Sequence, residues 1–233
     1  MSTISTLLAE LTKHHLPSVF NPWSDYDPDL DIGPNAPAIR RDQLQQYLKI
    51  RQGRARYLFL AEAVGYQGGR FSGIPITSER ILLGFHDKVR PGDVISGPCR
   101  RTSRPDCPSL NTTEQAKGMA EPTATIVWGT LLAHGLKPEE FVFWNTFPFH
   151  PYNPKSPRKT LSNRTPTAAE LACGAEIFQH FRTLFPAVPI FAVGTKASQT
   201  LTELNISFSH LPHPANGHAN QFRETVEKQV GRI

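Results

Sequence analysis

At 233 residues, with a hydrophobic fraction of 39% and a charged fraction of 19%, the chain has the length and balance of one well-buried globular domain. Its net charge of +5 permits nucleic acid as a partner without demonstrating it. No apolar run approaches the roughly 18 residues of a membrane span, and the three cysteines (Cys99, Cys107 and Cys173) lack Cys-x-x-Cys spacing and are too few for an all-cysteine iron–sulfur cluster.

"STISTLLAELTKHH" carries apolar residues at helical spacing behind a Ser or Thr cap. It lacks the basic start and cleavage site of a signal peptide. "FNPWSDYDPDLDIGPNAPAI" is rich in Pro, Asp and Asn and reads as loop, and "RRDQLQQYLKIRQ" follows as helix. "RYLFLAEA" is the first strong strand. The glycine-studded "VGYQGGRFSGIPIT" leads from it to a helix in "SERILLGF", then to a Pro- and Arg-rich excursion, "VRPGDVISGPCRRTSRPDCPSLNTTEQ". A helix in "PTATIVWGTLLAHGL", a strand in "FVFWNTFPF" and the polar loop "HPYNPKSPRKTLSNRTP" come next. After the helix "TAAELACGAEIFQHFRTLF" come strand "PIFAVG", helix "TKASQTLTEL", strand and loop "SFSHLPHP", and a final helix "HANQFRETVEKQV". Strands separated by helices predict an α/β fold: a three-layer α/β/α sandwich on a central four-stranded parallel sheet. We expect a single domain over 1–233, with 1–55 as a helical and loop extension packed on it.

The carboxyl ends of parallel strands face one crevice, so residues distant in sequence converge there. The four predicted strand ends bring Glu62, Ala63, Gly65 and Phe71, then Asn145, then Gly194 to Ser198, then His213. Each has a plainer reading. Asn145 could satisfy loop backbone, and His213 could be a structural hydrogen-bonder. Phe71 could be core, and Glu62 could cap a helix. No Gly-x-Ser-x-Gly elbow and no metal-ligand spacing of histidines is present, which counts against a hydrolase triad and a metal site.

Taken in order, these segments resemble the uracil-DNA glycosylase superfamily. "AEAVGYQGGRFSGIPITSE" is similar to the first motif of its thermophile-type branch (GEAPG, then glycine, phenylalanine and glycine) and to the GMNPG…TGVPF segment of its single-strand-selective branch. "FWNTFPFHP" resembles the strand whose asparagine recognises uracil, and "HPANGHANQF" resembles the HPS-type motif. Ala61, Val64 and Ala215 depart from the motif residues, and the cluster cysteines are missing. Ala63 stands where some branches carry a water-activating Asp or Asn. Gly65 stands where the uracil-specific branch carries a tyrosine that blocks a 5-methyl group.

The resemblance implies a monofunctional DNA glycosylase that hydrolyses the N-glycosidic bond of uracil or a related deaminated or 5-substituted base, starting base-excision repair. It implies His213 as a catalytic residue, and Asn145, Phe71, Ala63 and Gly65 around the base, with Phe71 stacking on it. With Ala63 unable to activate water, Glu62 is the nearest carboxylate in sequence to orient it, backbone carbonyls being the alternative. Lys155, Arg158, Asn216 and His218 would contact DNA, joined by Lys159, Arg164, Arg100, Arg101 and Arg104; the plainer reading of these charges is a solvated basic surface. The turn Ala215 to Asn220 lacks a large apolar wedge, which predicts weak preference for duplex over single strand. We expect no cofactor or metal, a monomer, DNA as partner and the cytoplasm as location. The alternative is a catalytically weak or inactive DNA-binding member of the superfamily.

Overall fold

The computed structural model describes residues 3–215 and 217–230. In chain order its helices are α1 (Ile4–Leu11), α2 (Ala36–Arg51), α3 (Gly69–Ser72), α4 (Glu79–Leu82), α5 (Pro91–Val94), α6 (Thr112–Lys117), α7 (Pro122–Ala133), α8 (Ala168–Leu184), α9 (Thr195–Glu203) and α10 (Ala219–Gln229). The strands are β1 (Val19–Phe20), β2 (Tyr57–Ala63), β3 (Phe141–Phe147), β4 (His150–Pro151), β5 (Ile190–Val193) and β6 (Ser209–Leu211). The central sheet has the order β3-β2-β5-β6 and is parallel throughout. Parallel neighbours need long crossovers, and the helices supply them, covering both faces.

Side-chain alternation along β3 shows the layering. Phe143 points to α7, where its ring meets Trp128 at 5.2 Å. Trp144 points to the other face and stacks on Phe181 of α8 at 4.2 Å. Every residue of β3 is buried, as a strand covered on both faces must be. By the two-residue period, Asn145 falls on the Phe143 side, the face covered by α7.

Two sequence expectations are corrected here, and the packing of the Arg-rich excursion is settled. The helix α2 begins at Ala36, within the segment read as loop, because Pro37 sits in its first turn, where a missing N–H costs nothing. The helix expected in "SERILLGF" is the single turn α4. The Arg-rich excursion is folded onto the body by Glu79, whose carboxylate accepts from the N–H groups of Thr102, Ser103 and Met119 and from the Ser103 hydroxyl.

A buried charge network holds the start of the glycine loop. Arg40 and Arg70 both pair with Asp31, at 2.9 Å each, and Arg70 also reaches Asp27 at 3.2 Å. Burial works against the Asp31 charge, but the guanidiniums of Arg70 and Arg40 outweigh it and hold its carboxyl below the usual range. Among the described residues, no helix is long and apolar enough to cross a membrane.

Candidate functional site

The carboxyl ends of β2, β3, β5 and β6 surround a cavity of about 360 Å³, a size suited to a small planar ligand. Asn145, Glu62, Ala63, Gly65 and His213 all line it, so five of the predicted positions come together. Asn145 is 1% exposed, and its Oδ1 is buried without a hydrogen-bond partner. A buried amide oxygen left open costs on the order of 1–3 kcal/mol unless something fills it. The neighbouring Thr146 is satisfied: its hydroxyl donates to the Glu62 carbonyl at 2.8 Å, which ties β3 to β2 beside the cavity.

His213 follows β6 and lines the cavity, its ring partly buried there while the residue keeps solvent-facing surface. Its Nδ1 accepts the Ala215 N–H at 3.1 Å, which in the neutral ring leaves the proton on Nε2 and makes that atom a free donor. Partial burial of the ring lowers its pKa from the ordinary value, favouring this neutral form at pH 7. Gly194 makes the placement feasible. Its φ is +91°, and a Cβ there would lie 3.1 Å from the His213 Cβ, so a side chain would push the imidazole away.

Burial raises the Glu62 pKa, while Lys196, which also lines the cavity, pulls the other way. Glu121 was not singled out from the sequence, yet its carboxyl enters the same cavity from the residue before α7. Its Oε1 would be 3.5 Å from a Cβ on Gly65, and a Cβ on Gly68 would collide with its Oε2. Gly65 and Gly68, which carry no side chain, therefore form the surface on which this carboxyl rests. Oε2 is buried and unpartnered, and burial pushes the pKa up to about 7. The available sequence signal was an acid directly before a proline-started helix, which reads as ordinary complementation of the helix dipole.

Phe71 does not reach the cavity. It lies on α3 with no exposed surface, in a separate cluster with Leu30, Cys107, Leu110, Met119 and Leu161. The Arg70 guanidinium covers its ring at 4.0 Å. The expectation of a stacking phenylalanine is thus replaced by an aliphatic wall that includes Ile76. Ile76 has a φ of +49°, an uncommon conformation for a β-branched residue. Trp128 holds that segment by donating Nε1–H to the Ile76 carbonyl at 3.1 Å.

The basic residues separate into two groups. Arg164 lines the cavity but is engaged by Glu170 through two bonds of 2.6 and 2.7 Å. Arg100 pairs with Asp42, Arg104 with Asp106, and Arg101 donates to the carbonyls of Glu114 and Gln115. Arg164 and Arg101 are thus engaged within the fold, whereas Arg100 and Arg104 stay exposed in surface ion pairs. Lys155, Arg158 and Lys159 are exposed on the β4–α8 loop. That loop is fastened to the glycine loop: Asn163 Oδ1 accepts the Tyr66 N–H at 3.1 Å, and the Arg158 guanidinium lies over the Tyr66 ring at 5.5 Å. Buried His150 adds a second tie, with Nδ1 3.0 Å from the Val64 carbonyl and Nε2 2.9 Å from the Thr160 carbonyl. Burial pushes its pKa down to about 4. His218 is exposed at the start of α10, and Asn216 lies outside the described residues. No group of His, Cys, Asp and Glu suited to a metal ion occurs among the described residues.

The arrangement is an α/β fold with a polar pocket at the strand ends, carrying an open amide, a free imidazole donor and two carboxyls. In fold it is similar to SMUG2 of Pedobacter heparinus, known from a crystal structure of the wild-type protein. The likeness has a TM-score of 0.60 at 16% sequence identity, over 99% of this chain and 93% of that one. No protein-family model and no curated protein matches the chain.

Proposed function

We propose that the protein is a DNA glycosylase that hydrolyses the N-glycosidic bond of uracil or a related altered base. The observation that carries this reading is the Asn145 amide, presented to the cavity with its Oδ1 buried and open. One face of an amide offers a donor and an acceptor side by side, matching O4 and N3–H of uracil. Cytosine presents the reverse pattern and would leave both partners unpaired. The fold likeness to SMUG2, a protein of the uracil-DNA glycosylase superfamily, supports the same class.

A base within a duplex cannot reach such a pocket, so the nucleotide is flipped out, at a cost of a few kcal/mol. The base then lies against aliphatic side chains such as Ile76. As the glycosidic bond breaks, negative charge grows on the base, and the Nε2–H of His213 donates to its O2. A preorganised donor of this kind is commonly worth about 10²–10³ in rate. Glu62, made more basic by burial, orients the water that attacks the sugar, since Ala63 has no group to do so. Lys155, Arg158, Lys159, Asn216 and His218 hold the phosphates beside the pocket.

Incubating excess protein with oligonucleotides that carry one deoxyuridine, and scoring alkali-labile abasic sites, tests the reading. Release from both single and double strands is expected. The second reading, a DNA-binding member without catalysis, is favoured by Ala63 and predicts salt-dependent binding with no abasic product from uracil, hypoxanthine or xanthine.

A further inference from the structure

The mechanism above leaves Glu121 without a task. Three observations set it apart from the other acids of the chain. Its carboxyl lines the same cavity as Asn145 and His213. Oε2 is shielded from solvent and has no hydrogen-bond partner among the described residues, so a water, an ion or a ligand is needed to complete it. The loop beneath it carries no side chain at Gly65 or Gly68, and a methyl group at Gly68 would displace the carboxyl.

We propose that Glu121 is a base-contacting residue, its carboxyl meeting a polar atom of the flipped heterocycle that the Asn145 amide does not reach. This inference rests on the glycosylase reading of the pocket. Two unfilled polar groups lining one cavity define the ligand by its complement. It is a planar heterocycle with a hydrogen-bonding edge for Asn145 and a further acceptor site for Glu121, which on uracil is the second lone pair of O2, beside the one that His213 takes.

The protonation state decides how well the contact is made. A neutral carboxyl has one O–H to donate, whereas a carboxylate can only accept. Of the charged or titratable side chains around the cavity, Lys196 on α9 and Glu62 on β2 line it together with Glu121, and burial alone accounts for the raised pKa of Glu121. Arg164 is occupied by Glu170, and His213 is neutral near pH 7. Burial of Glu121 prevails, so the acid is about half protonated near pH 7. A ligand that needs the O–H therefore binds more weakly as pH rises. Affinity falls about tenfold between pH 6 and pH 8.

The test is a pH series of binding, at constant ionic strength, to a single-stranded oligonucleotide with one 2′-fluoro-2′-deoxyuridine, whose fluorine disfavours cleavage. Anisotropy is read for wild type, Glu121→Gln and Glu121→Ala, with circular dichroism melts confirming that each is folded. Glu121→Gln keeps a donor at every pH, so its affinity should stay level where that of wild type drops. Glu121→Ala should bind about tenfold more weakly than wild type at pH 6. A wild-type profile that Glu121→Gln reproduces in full overturns the inference. Excision of uracil from an ordinary oligonucleotide is measured alongside. Glu121-dependent binding without excision keeps the inference and rejects the catalytic reading. Excision with no Glu121 dependence does the reverse, and no binding of the analogue at any pH overturns both.

Discussion

Replacing Glu121 by Gln should change how the stability of the free protein depends on pH. Folding raises the pKa of this carboxyl from 4.5 to about 7. A group whose folded pKa is raised holds its proton more tightly in the native state. Its contribution is complete below pH 4.5 and is lost as pH climbs through 7. The difference of 2.5 pKa units, at 1.36 kcal/mol each, corresponds to about 3 kcal/mol. For a chain of this size that is a melting-temperature change on the order of 10 °C. Many other groups titrate over the same range, so the quantity to measure is the difference between the two proteins. Urea unfolding from pH 4.5 to 8 should show Glu121→Gln gaining on wild type by about this amount, with the gain concentrated between pH 5 and 7.5. Parallel stability curves would mean that the carboxyl is solvated or paired in solution, and the reasoning about its burial would fail.

Other consequences are equally specific. His213→Ala should lower single-turnover base release by on the order of 10²–10³, and Gly194→Ala should lower it too by displacing the imidazole. Phe71→Ala should destabilise the fold by about 3–5 kcal/mol in thermal melts, as loss of a core ring does, while the rate at saturating protein changes little at temperatures where the variant is folded. Replacing Lys155, Arg158 and Lys159 together by Ala should weaken DNA binding and reduce the slope of log affinity against log salt by about 2 to 3. The same treatment of Arg100 and Arg104 should leave that slope unchanged.

The sheet was readable because its strands are short apolar runs, "YLFLA", "FVFW" and "IFAV", closed by glycine or polar residues and separated by helix-length segments. The gathering of Asn145, Glu62 and His213 followed from that topology, since strand ends in a parallel sheet share one crevice. The misreadings arose where buried charges decide the structure. Phe71 sits in a glycine-rich loop and looks free to turn toward a ligand. The Asp31–Arg40–Arg70 network turns α3 the other way, and no local pattern announces that two arginines will be fully buried. Residue type likewise does not reveal that Arg101 of the Arg-rich excursion donates to carbonyls of the chain itself while Arg100 and Arg104 stand in exposed ion pairs. Glu121 was invisible for a related reason: an acid ahead of a helix is ordinary, and only the cavity reveals that its oxygen has no partner.

The central claim is that the Asn145 amide recognises an extrahelical base at the point where its glycosidic bond is broken. Single-turnover release of uracil from a deoxyuridine oligonucleotide, compared between wild type and folded Asn145→Ala, tests it most directly. A fall of at least about a hundredfold is predicted, because the base loses both partners of its reading edge. Equal rates for the two proteins would contradict it.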